Sequence, residues 1–398
     1  AHTVKTNELK PGDVRVGHVS EGTSGPPQAA TLTFDRGEGA CLSVPFLWQA
    51  REAGSPQYSK TAEWFDYSGE SSLPSTLVFA DDRGEVTLLG NRLGQSSLGS
   101  RPLGRLHPQI VISGRPREFR DEYRVRDFSS TIDGLTEFAN FSPIQLEHER
   151  TEGGYRATVV IEPSERVEWD GGGFRYAVQA NVAWTGRPGR SFEILDHRPF
   201  LLTTSEAGAT PHEHLAAQWP LRALLILIFG RKLAWRSHGL RDDEFPTWML
   251  SGDAEAPTFL DVQLARTIGE QGWPSPESAR MDLPSITLGD LGSDGLRRWV
   301  DLYADESFKR AVEPAVEVIN GGTKFLEPQL MMLAISLDRF GHFRHGDRRR
   351  RAVWQNVWKC LVDAKLDWPE IGSQQAIAKA IADMNNDLKH PDRERYPD

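Results

Sequence analysis

The sequence predicts an α+β multidomain protein in which a β-rich N-terminal domain precedes an all-α helical domain. Short strand-like segments separated by turn residues fill the first half, and apolar residues take helical spacing after about residue 295. A stretch rich in proline, glycine and aspartate lies between the two patterns. We therefore divide the 398 residues into a β-rich domain (1–240), a connecting region (241–284) and a helical domain (285–398).

Alternating apolar residues and turn signals predict the strands of the first domain. Residues 30–34 and 41–44 flank a glycine-rich turn, which is typical of a hairpin. Further strands are predicted at 76–79, 85–89, 110–112, 155–161, 174–184 and 190–195. Many short strands of this kind favour a sandwich or an open barrel-like domain.

Helical spacing predicts one helix at 214–235 and five in the second domain, at 295–303, 308–319, 325–343, 352–364 and 373–389. Ser373 is the expected N-cap of the last helix. The last helix carries apolar residues on one face, so we expect its polar residues to lie away from the core. These apolar residues are Ile377, Ala380, Ile381, Met384 and Leu388.

Composition excludes several classes of protein. The net charge of −10 argues against a uniformly basic nucleic-acid binder but not against a local basic patch. Two cysteines far apart give no disulfide framework and no cysteine metal site. The apolar run at 223–229 is too short to span a bilayer, and the first residues lack the apolar core of a signal peptide. We expect a cytoplasmic protein with no membrane partner.

The end of the last helix carries the main candidate site. Asn386 and His390 are four residues apart and share a helix face, and Asn385 and Lys389 form the adjacent pair. Pro391 should stop the helix at His390. A histidine there can exchange a proton near neutral pH, and an amide or an ammonium beside it can bind phosphate oxygens. From spacing alone, a solvated helix end without function is the more frequent explanation.

The string Asn385-Asn386-Asp387-Leu388-Lys389-His390-Pro391 resembles the signature of the HEPN superfamily, most closely its ApeA-like group in abortive phage infection. In that signature an arginine is followed by a polar residue, often asparagine, and then by a histidine. His390 and Asn386 match the histidine and the polar residue, but Asn385 stands where the family has arginine. Residues 325–338 resemble the family's long second helix, and residues 30–35 and 84–89 resemble the ApeA N-terminal domain.

The resemblance implies a metal-independent endoribonuclease that needs no cofactor. Two HEPN domains of a homodimer would then build one composite site for RNA, for example tRNA. The histidine would act as general acid or base, and the arginine would hold the phosphate that is cleaved. The N-terminal domain would respond to a phage-derived trigger.

Asn385 is neutral and cannot replace a guanidinium beside a developing negative charge. Three explanations are open: an introduced inactivating substitution, a natural member that does not cleave, or another cation, such as Lys389 or Arg393, in the role of the arginine. We expect impaired activity in this chain. The alternative function is a non-catalytic HEPN module that binds RNA or protein.

Two other segments carry candidate residues. The basic run with Arg348, Arg349 and Arg350 follows the helix that resembles the family's long second helix. It predicts contacts to the RNA backbone, together with Lys389 and Arg393. Arg339 and His345 also have the residue types and spacing of the HEPN signature. They lie at the end of the helix that resembles the family's second helix, which is not where the family has its catalytic signature. His212-Glu213-His214 lacks a third ligand at a recognised spacing, so we expect a helix start with solvated imidazoles rather than a metal site.

Overall fold

The computed structural model of the chain confirms a β-rich region followed by a helical one. The structure describes residues 7–22, 26–46, 59–65, 73–94, 102–151, 154–162, 165–187, 191–196, 198–248, 254–274, 283–346 and 349–390. No helix within these ranges is long and apolar enough to cross a membrane.

The strands occupy residues 14–264 in chain order. They are β1 (Val14–Ser20), β2 (Gln28–Asp35), β3 (Gly39–Pro45), β4 (Thr76–Asp81), β5 (Gly84–Leu89), β6 (Arg92–Leu93), β7 (Leu103–His107), β8 (Ile110–Ile112), β9 (Val125–Ile132), β10 (Ile144–Thr151), β11 (Gly154–Ile161), β12 (Arg166–Gly171), β13 (Phe174–Gln179), β14 (Ala183–Arg187), β15 (Ser191–Asp196), β16 (Phe200–Ala209), β17 (Trp235–Arg241), β18 (Thr247–Trp248), β19 (Ala254–Glu255) and β20 (Leu260–Leu264).

Fourteen of these strands form one antiparallel sheet in the order β12-β13-β16-β9-β17-β20-β8-β5-β4-β1-β2-β3-β7-β6. Strand β20 joins the two halves of this sheet, because it pairs with β17 on one side and with β8 on the other. It lies within the residues interpreted from composition as a connecting region. The three remaining pairs, β10–β11, β14–β15 and β18–β19, form separate two-stranded ribbons.

The described helices are α1 (Ser59–Trp64), α2 (Leu135–Ala139), α3 (Pro211–Phe229), α4 (Ala265–Gln271), α5 (Leu288–Ala304), α6 (Glu306–Ile319), α7 (Leu326–His345), α8 (Val353–Asp363) and α9 (Gln374–Lys389). The last five match the predicted helices. Gly292 interrupts α5 with a non-helical backbone. The predicted helix at 295–303 therefore corresponds to the regular part of α5 that follows this glycine.

Two sequence predictions in the sheet region were wrong at one end. The helix predicted at 214–235 begins at Pro211 and ends at Phe229, because Gly230 takes the left-handed conformation (φ 60°) that terminates helices. Trp235 therefore starts β17 instead of closing a helix. The strand predicted at 174–184 ends at Gln179, and a new strand, β14, starts at Ala183.

Helices α5 and α6 share a hydrophobic core with the sheet and α3. Their buried contributions are Leu288, Leu296, Val300, Tyr303, Phe308, Val312 and Val316. These seven side chains pack in the same cluster as residues of β9, β12, β13 and β16. Because each buried apolar side chain of this size is worth about 1.5–3 kcal/mol, α5 and α6 cannot leave the sheet without losing most of the net stability of a typical domain.

Helices α7, α8 and α9 form an outer layer with a smaller cluster of its own. Val357, Leu361 and Ala378 are buried at its centre. Helix α7 also touches the main core through Phe340 and Phe343, so it connects the two clusters. The outer layer thus rests on α6, through contacts of α7 such as those of Phe340 and Phe343 with Phe308.

Close contact between α7 and α8 depends on Gly341. A Cβ at this position would lie 2.0 Å from the backbone oxygen of Asn356, so any larger residue must push the helices apart. We expect Gly341→Ala to lower the free energy of unfolding by about 2 kcal/mol or more, as overpacking does in a close-packed interior. Urea titration of both chains measures the difference.

Gly269→Ala is the matched control, because Gly269 lies in α4 with nothing within 4 Å of an added Cβ. There the substitution should stabilise by about 0.5–1 kcal/mol through its effect on the unfolded chain. Equal effects of the two substitutions would contradict the close packing of α7 on α8.

Candidate functional sites

The end of α9 carries the predicted catalytic residues. Ser373 caps the other end of this helix, since its hydroxyl accepts a hydrogen bond from the Ala376 N–H at 3.3 Å. The helix ends at Lys389, as predicted. The backbone N–H of His390 donates to the carbonyl oxygens of Asn386 and Asp387, at 3.1 and 3.2 Å. These bonds fix the backbone of His390 while its side chain stays exposed.

The predicted orientation of α9 was wrong for Asn385. This residue is only 1% exposed and lies on the buried face with Ala378 and Ala382. Ala380, expected in the core, is exposed instead. The cause is side-chain size, because two alanines one turn apart let α9 approach its neighbours more closely than its isoleucines do. Asn385 therefore does not share the solvent-facing surface of Lys389 and His390.

The carboxamide of Asn385 is poorly satisfied where it lies. Its Oδ1 is buried and accepts no hydrogen bond from any described residue. An unpaired buried acceptor costs about 1–3 kcal/mol. The fold thus tolerates a neutral amide here at some cost in stability, and that amide is enclosed by protein rather than exposed to solvent.

Three of the five predicted RNA-binding residues lie in the described part of the chain, and all three are exposed. Arg349 and Arg350 are exposed in the segment between α7 and α8. Arg348 and Arg393 lie outside the described residues, as does Pro391. Lys389 is exposed in the last turn of α9.

His212 and His214 start α3 as predicted, but His214 is not solvated. It is fully buried, with Nδ1 2.9 Å from the Thr203 hydroxyl and Nε2 2.9 Å from the Val125 carbonyl oxygen. Burial lowers the pKa of His214, so the ring is held neutral as a core hydrogen-bonding group. Among the described residues no group of three histidines, cysteines or carboxylates could hold a metal ion.

A second candidate site is built around Arg222 on α3. Its side chain is 2% exposed and lies between the rings of Trp219 and Trp235, each centred 5.2 Å from the guanidinium carbon. Nη1 and Nη2 donate to Glu270 at 3.1 and 2.9 Å, and Nη2 also donates to the Leu233 carbonyl oxygen at 2.7 Å. Charge pairing and two aromatic faces together compensate the burial of this cation.

This arginine lines a cleft of about 830 Å³ between α3, α4 and α6. Across the cleft, the Trp219 Nε1–H donates to the Tyr303 hydroxyl at 2.8 Å, and that hydroxyl donates to Glu313 at 3.3 Å. Arg266 and Lys309 add positive charge to the walls. The cleft thus lies where the sheet region meets the C-terminal helices, and both supply its polar groups.

Sequence analysis did not select Arg222 as a candidate residue, although it directly precedes the apolar run at 223–229. The sequence signal that could have identified it is an arginine directly before a wholly apolar helix segment. An arginine in such a helix is expected to be buried and therefore paired with another side chain. Its partner, Glu270, could not be chosen from sequence because it is 48 residues away.

The first half of the chain has a recognisable family. The sequence profile described as ApeA N-terminal domain 1 matches residues 16–245, which is more than half of the chain. This chain belongs to that family. No curated protein sequence matches the chain. No solved structure matches it either.

The ApeA match covers the sheet region from β1 to β17 together with α3. It supports a role in anti-phage defence. Strand β20, Glu270 and the helices α5–α9 lie beyond the matched residues. Arg222 belongs to the ApeA domain and Glu270 does not, so their ion pair ties this domain to the rest of the chain.

Removing the partner of Arg222 should destabilise the protein strongly. Glu270→Ala leaves a buried guanidinium with the Leu233 carbonyl as its one remaining acceptor among the described residues. We expect a loss of about 3–5 kcal/mol in the free energy of unfolding. Glu149→Ala, which breaks an exposed pair with Arg156, should cost less than about 1 kcal/mol. Similar small losses for both would mean that Arg222 is solvated.

The burial of Asn385 can be tested against its neighbour. Asn385→Asp places a charge on the buried face of α9 and should lower the free energy of unfolding at pH 7 by about 2 kcal/mol or more. Asn386→Asp puts the same charge on the same turn at a half-buried position and should cost less. Chemical denaturation compares them, and equal losses would contradict the orientation of α9.

Proposed function

We propose that this protein is an anti-phage defence ribonuclease whose C-terminal helices form a HEPN-type module acting on RNA such as tRNA. The observation that supports it is an exposed histidine at the end of the last helix, in a helical region that follows an ApeA N-terminal domain. We further propose that cleavage is metal-independent, needs no cofactor, takes place in the cytoplasm and is weak in this chain.

In this proposal His390 moves the proton. Its exposed imidazole can take the proton of a ribose 2′-hydroxyl or give one to the leaving oxygen. Asn386, one turn earlier and half-buried, can donate from its amide to a phosphate oxygen. Lys389 and the exposed Arg349 and Arg350 supply positive charge for the RNA backbone.

Asn385 is the reason for weak cleavage. A buried neutral amide brings no charge to the phosphate and cannot contact it. We propose that a homodimer brings two α9 ends together, so that each composite site contains two histidines but lacks the bidentate cation that stabilises the transition state.

We also propose that the ApeA domain senses a phage-derived trigger. The shared core and the cleft at Arg222 support a physical route from the sheet to the helices. A change in the sheet would displace α5 and α6, and these carry the outer layer with α9.

A second function, a module that binds RNA or protein without cleaving, is favoured by the burial of Asn385. A side chain that packs inward contributes to packing and does not need to contact a substrate. A protein that binds RNA or protein without cleaving can therefore retain asparagine at this position. The two functions make opposite predictions for an arginine at this position.

Asn385→Arg should raise RNA cleavage if the module is a nuclease. Long arginine stems reach solvent from buried backbone positions, so the guanidinium can extend to the helix end. We expect cleavage to rise by about 10²-fold or more, as for other donors to a developing oxyanion, and to disappear when His390→Ala is added. The measurement is cleavage of total RNA on a denaturing gel, with mass determination in solution to detect the dimer.

Asn385→Lys is the control, since it adds charge without the forked geometry and should restore less activity. Thermal unfolding of each variant separates loss of fold from loss of chemistry. If Asn385→Arg does not fold, the weak cleavage by the unaltered chain must still disappear in His390→Ala. This substitution should not disturb the fold, because the His390 side chain is exposed. Intact RNA with every folded variant would leave the binding module as the function.

A further inference from the structure

Helix α8 turns two tryptophans outward. Trp354 and Trp358 are one turn apart, with ring centroids 6.5 Å from each other. Trp358 is 42% exposed, whereas Val357 and Leu361 on the other side of the helix are buried. The two indoles line a cavity of about 310 Å³. Large aromatic side chains usually bury their faces, so the exposed Trp358, with the half-buried Trp354 beside it, is available to a ligand.

Positively charged side chains surround these indoles. Arg351 and Lys359 line the same cavity, and Lys379 of α9 holds its ammonium 5.3 Å from the Trp354 ring centre. No carboxylate belongs to the described lining of this cavity. The nearby Asp363 accepts from Lys359 at 2.7 Å and from Arg344 at 3.0 Å. The surface is therefore locally basic although the chain carries a net charge of −10.

We propose that the indole platform, defined as Trp354 and Trp358 with Arg351, Lys359 and Lys379, binds single-stranded RNA. Bases stack on the indole faces while the three cations neutralise backbone phosphates. This combination of open aromatic faces and flanking cations is the one that single-strand binding needs, and it is insensitive to base sequence. Duplex RNA does not fit, because its base faces are already stacked.

The inference rests on the proposed action on RNA and adds how the strand is held. Arg349 and Arg350 precede the platform directly in sequence, and Arg351 continues from them. Lys379 lies on α9, the helix that ends at His390. A strand lying on the platform is thus bound by the same outer layer that carries the proposed acid–base group.

Charge argues against a second copy of the chain as the occupant. A two-fold symmetric contact would bring the three cations of one platform toward those of the other. Apolar residues do continue beyond the platform, since Val362 and Leu366 are each 42% exposed. Self-association through this face is therefore included as an outcome of the test.

The test measures binding of a fluorescent single-stranded RNA of about 12 nucleotides to the full chain by anisotropy. The RNA is 2′-O-methylated, so a reaction that needs the 2′-hydroxyl cannot consume it. Trp358→Leu keeps the apolar bulk but removes the aromatic face, and we expect affinity to fall about 5- to 150-fold. Trp358→Phe should retain most of the affinity, and a duplex of the same sequence should bind more weakly.

Trp368→Leu is the matched control, because Trp368 is 36% exposed and lies outside the platform lining. It should leave affinity unchanged. Lys359→Gln and Lys379→Gln together should reduce the slope of log affinity against log salt by about 0.7 for each lysine, whereas Trp358→Leu should not change the slope.

Unchanged affinity in Trp358→Leu, or no binding by the unaltered chain, would overturn the platform. So would a change from dimer to monomer in Trp358→Leu with RNA binding intact, which would assign the face to a second copy. Failure of the nuclease proposal is separate: indole-dependent binding of the methylated RNA without cleavage of ordinary RNA by any folded variant leaves the platform standing.

Discussion

The burial of the Arg222 guanidinium is the constraint on which the arrangement of this protein depends. A cation that is 2% exposed must be paired, and its partners come from three places in the chain: Glu270 of α4, the carbonyl of Leu233 before β17, and the indoles of Trp219 and Trp235. Satisfying this one side chain therefore fixes α3, β17 and α4 together. Since α4 directly follows β20, the same contact holds the strand that joins the two halves of the sheet.

The C-terminal helices attach to this centre in two steps. Trp219 donates to Tyr303 of α5 and the Trp299 indole donates to the Pro220 carbonyl oxygen at 2.7 Å, so α5 is bonded to the same helix that carries Arg222. Helix α7 then packs on α6, and α8 and α9 pack on α7 with a small core of their own. A weakly anchored layer on a strongly anchored base is the part most able to move or to open. That is where the exposed histidine and the indole platform lie.

Local patterns in the sequence predicted much of the fold. Period-two alternation located β2, β3, β4 and β5, and helical periodicity located the last five helices with the Ser373 cap. Strands β1, β9, β16, β17 and β20 were not predicted. Strand β20 has five residues in a proline-rich stretch and therefore little signal, and one of its two partners, β8, is about 150 residues earlier in the chain. Pairing at such a distance is decided by tertiary contacts and not by local preference.

The sequence predicted the exposure of His390 but not the burial of Asn385. His390 is exposed at the helix end as expected, but the burial of Asn385 follows from Ala378 and Ala382, whose small size decides which face approaches α8. Hydrophobicity alone points to the larger residues. Likewise, two tryptophans four residues apart were visible in the sequence, but only the placement of α7 and α9 leaves them open.

The central proposal is that the outer helices α7–α9 bind RNA. Hydrogen–deuterium exchange of the chain with and without single-stranded RNA tests it most directly. The account predicts slower exchange at residues 349–362 and toward the end of α9, with no change in strands β1–β8. Protection confined to the sheet, with the outer helices unaffected, would contradict it.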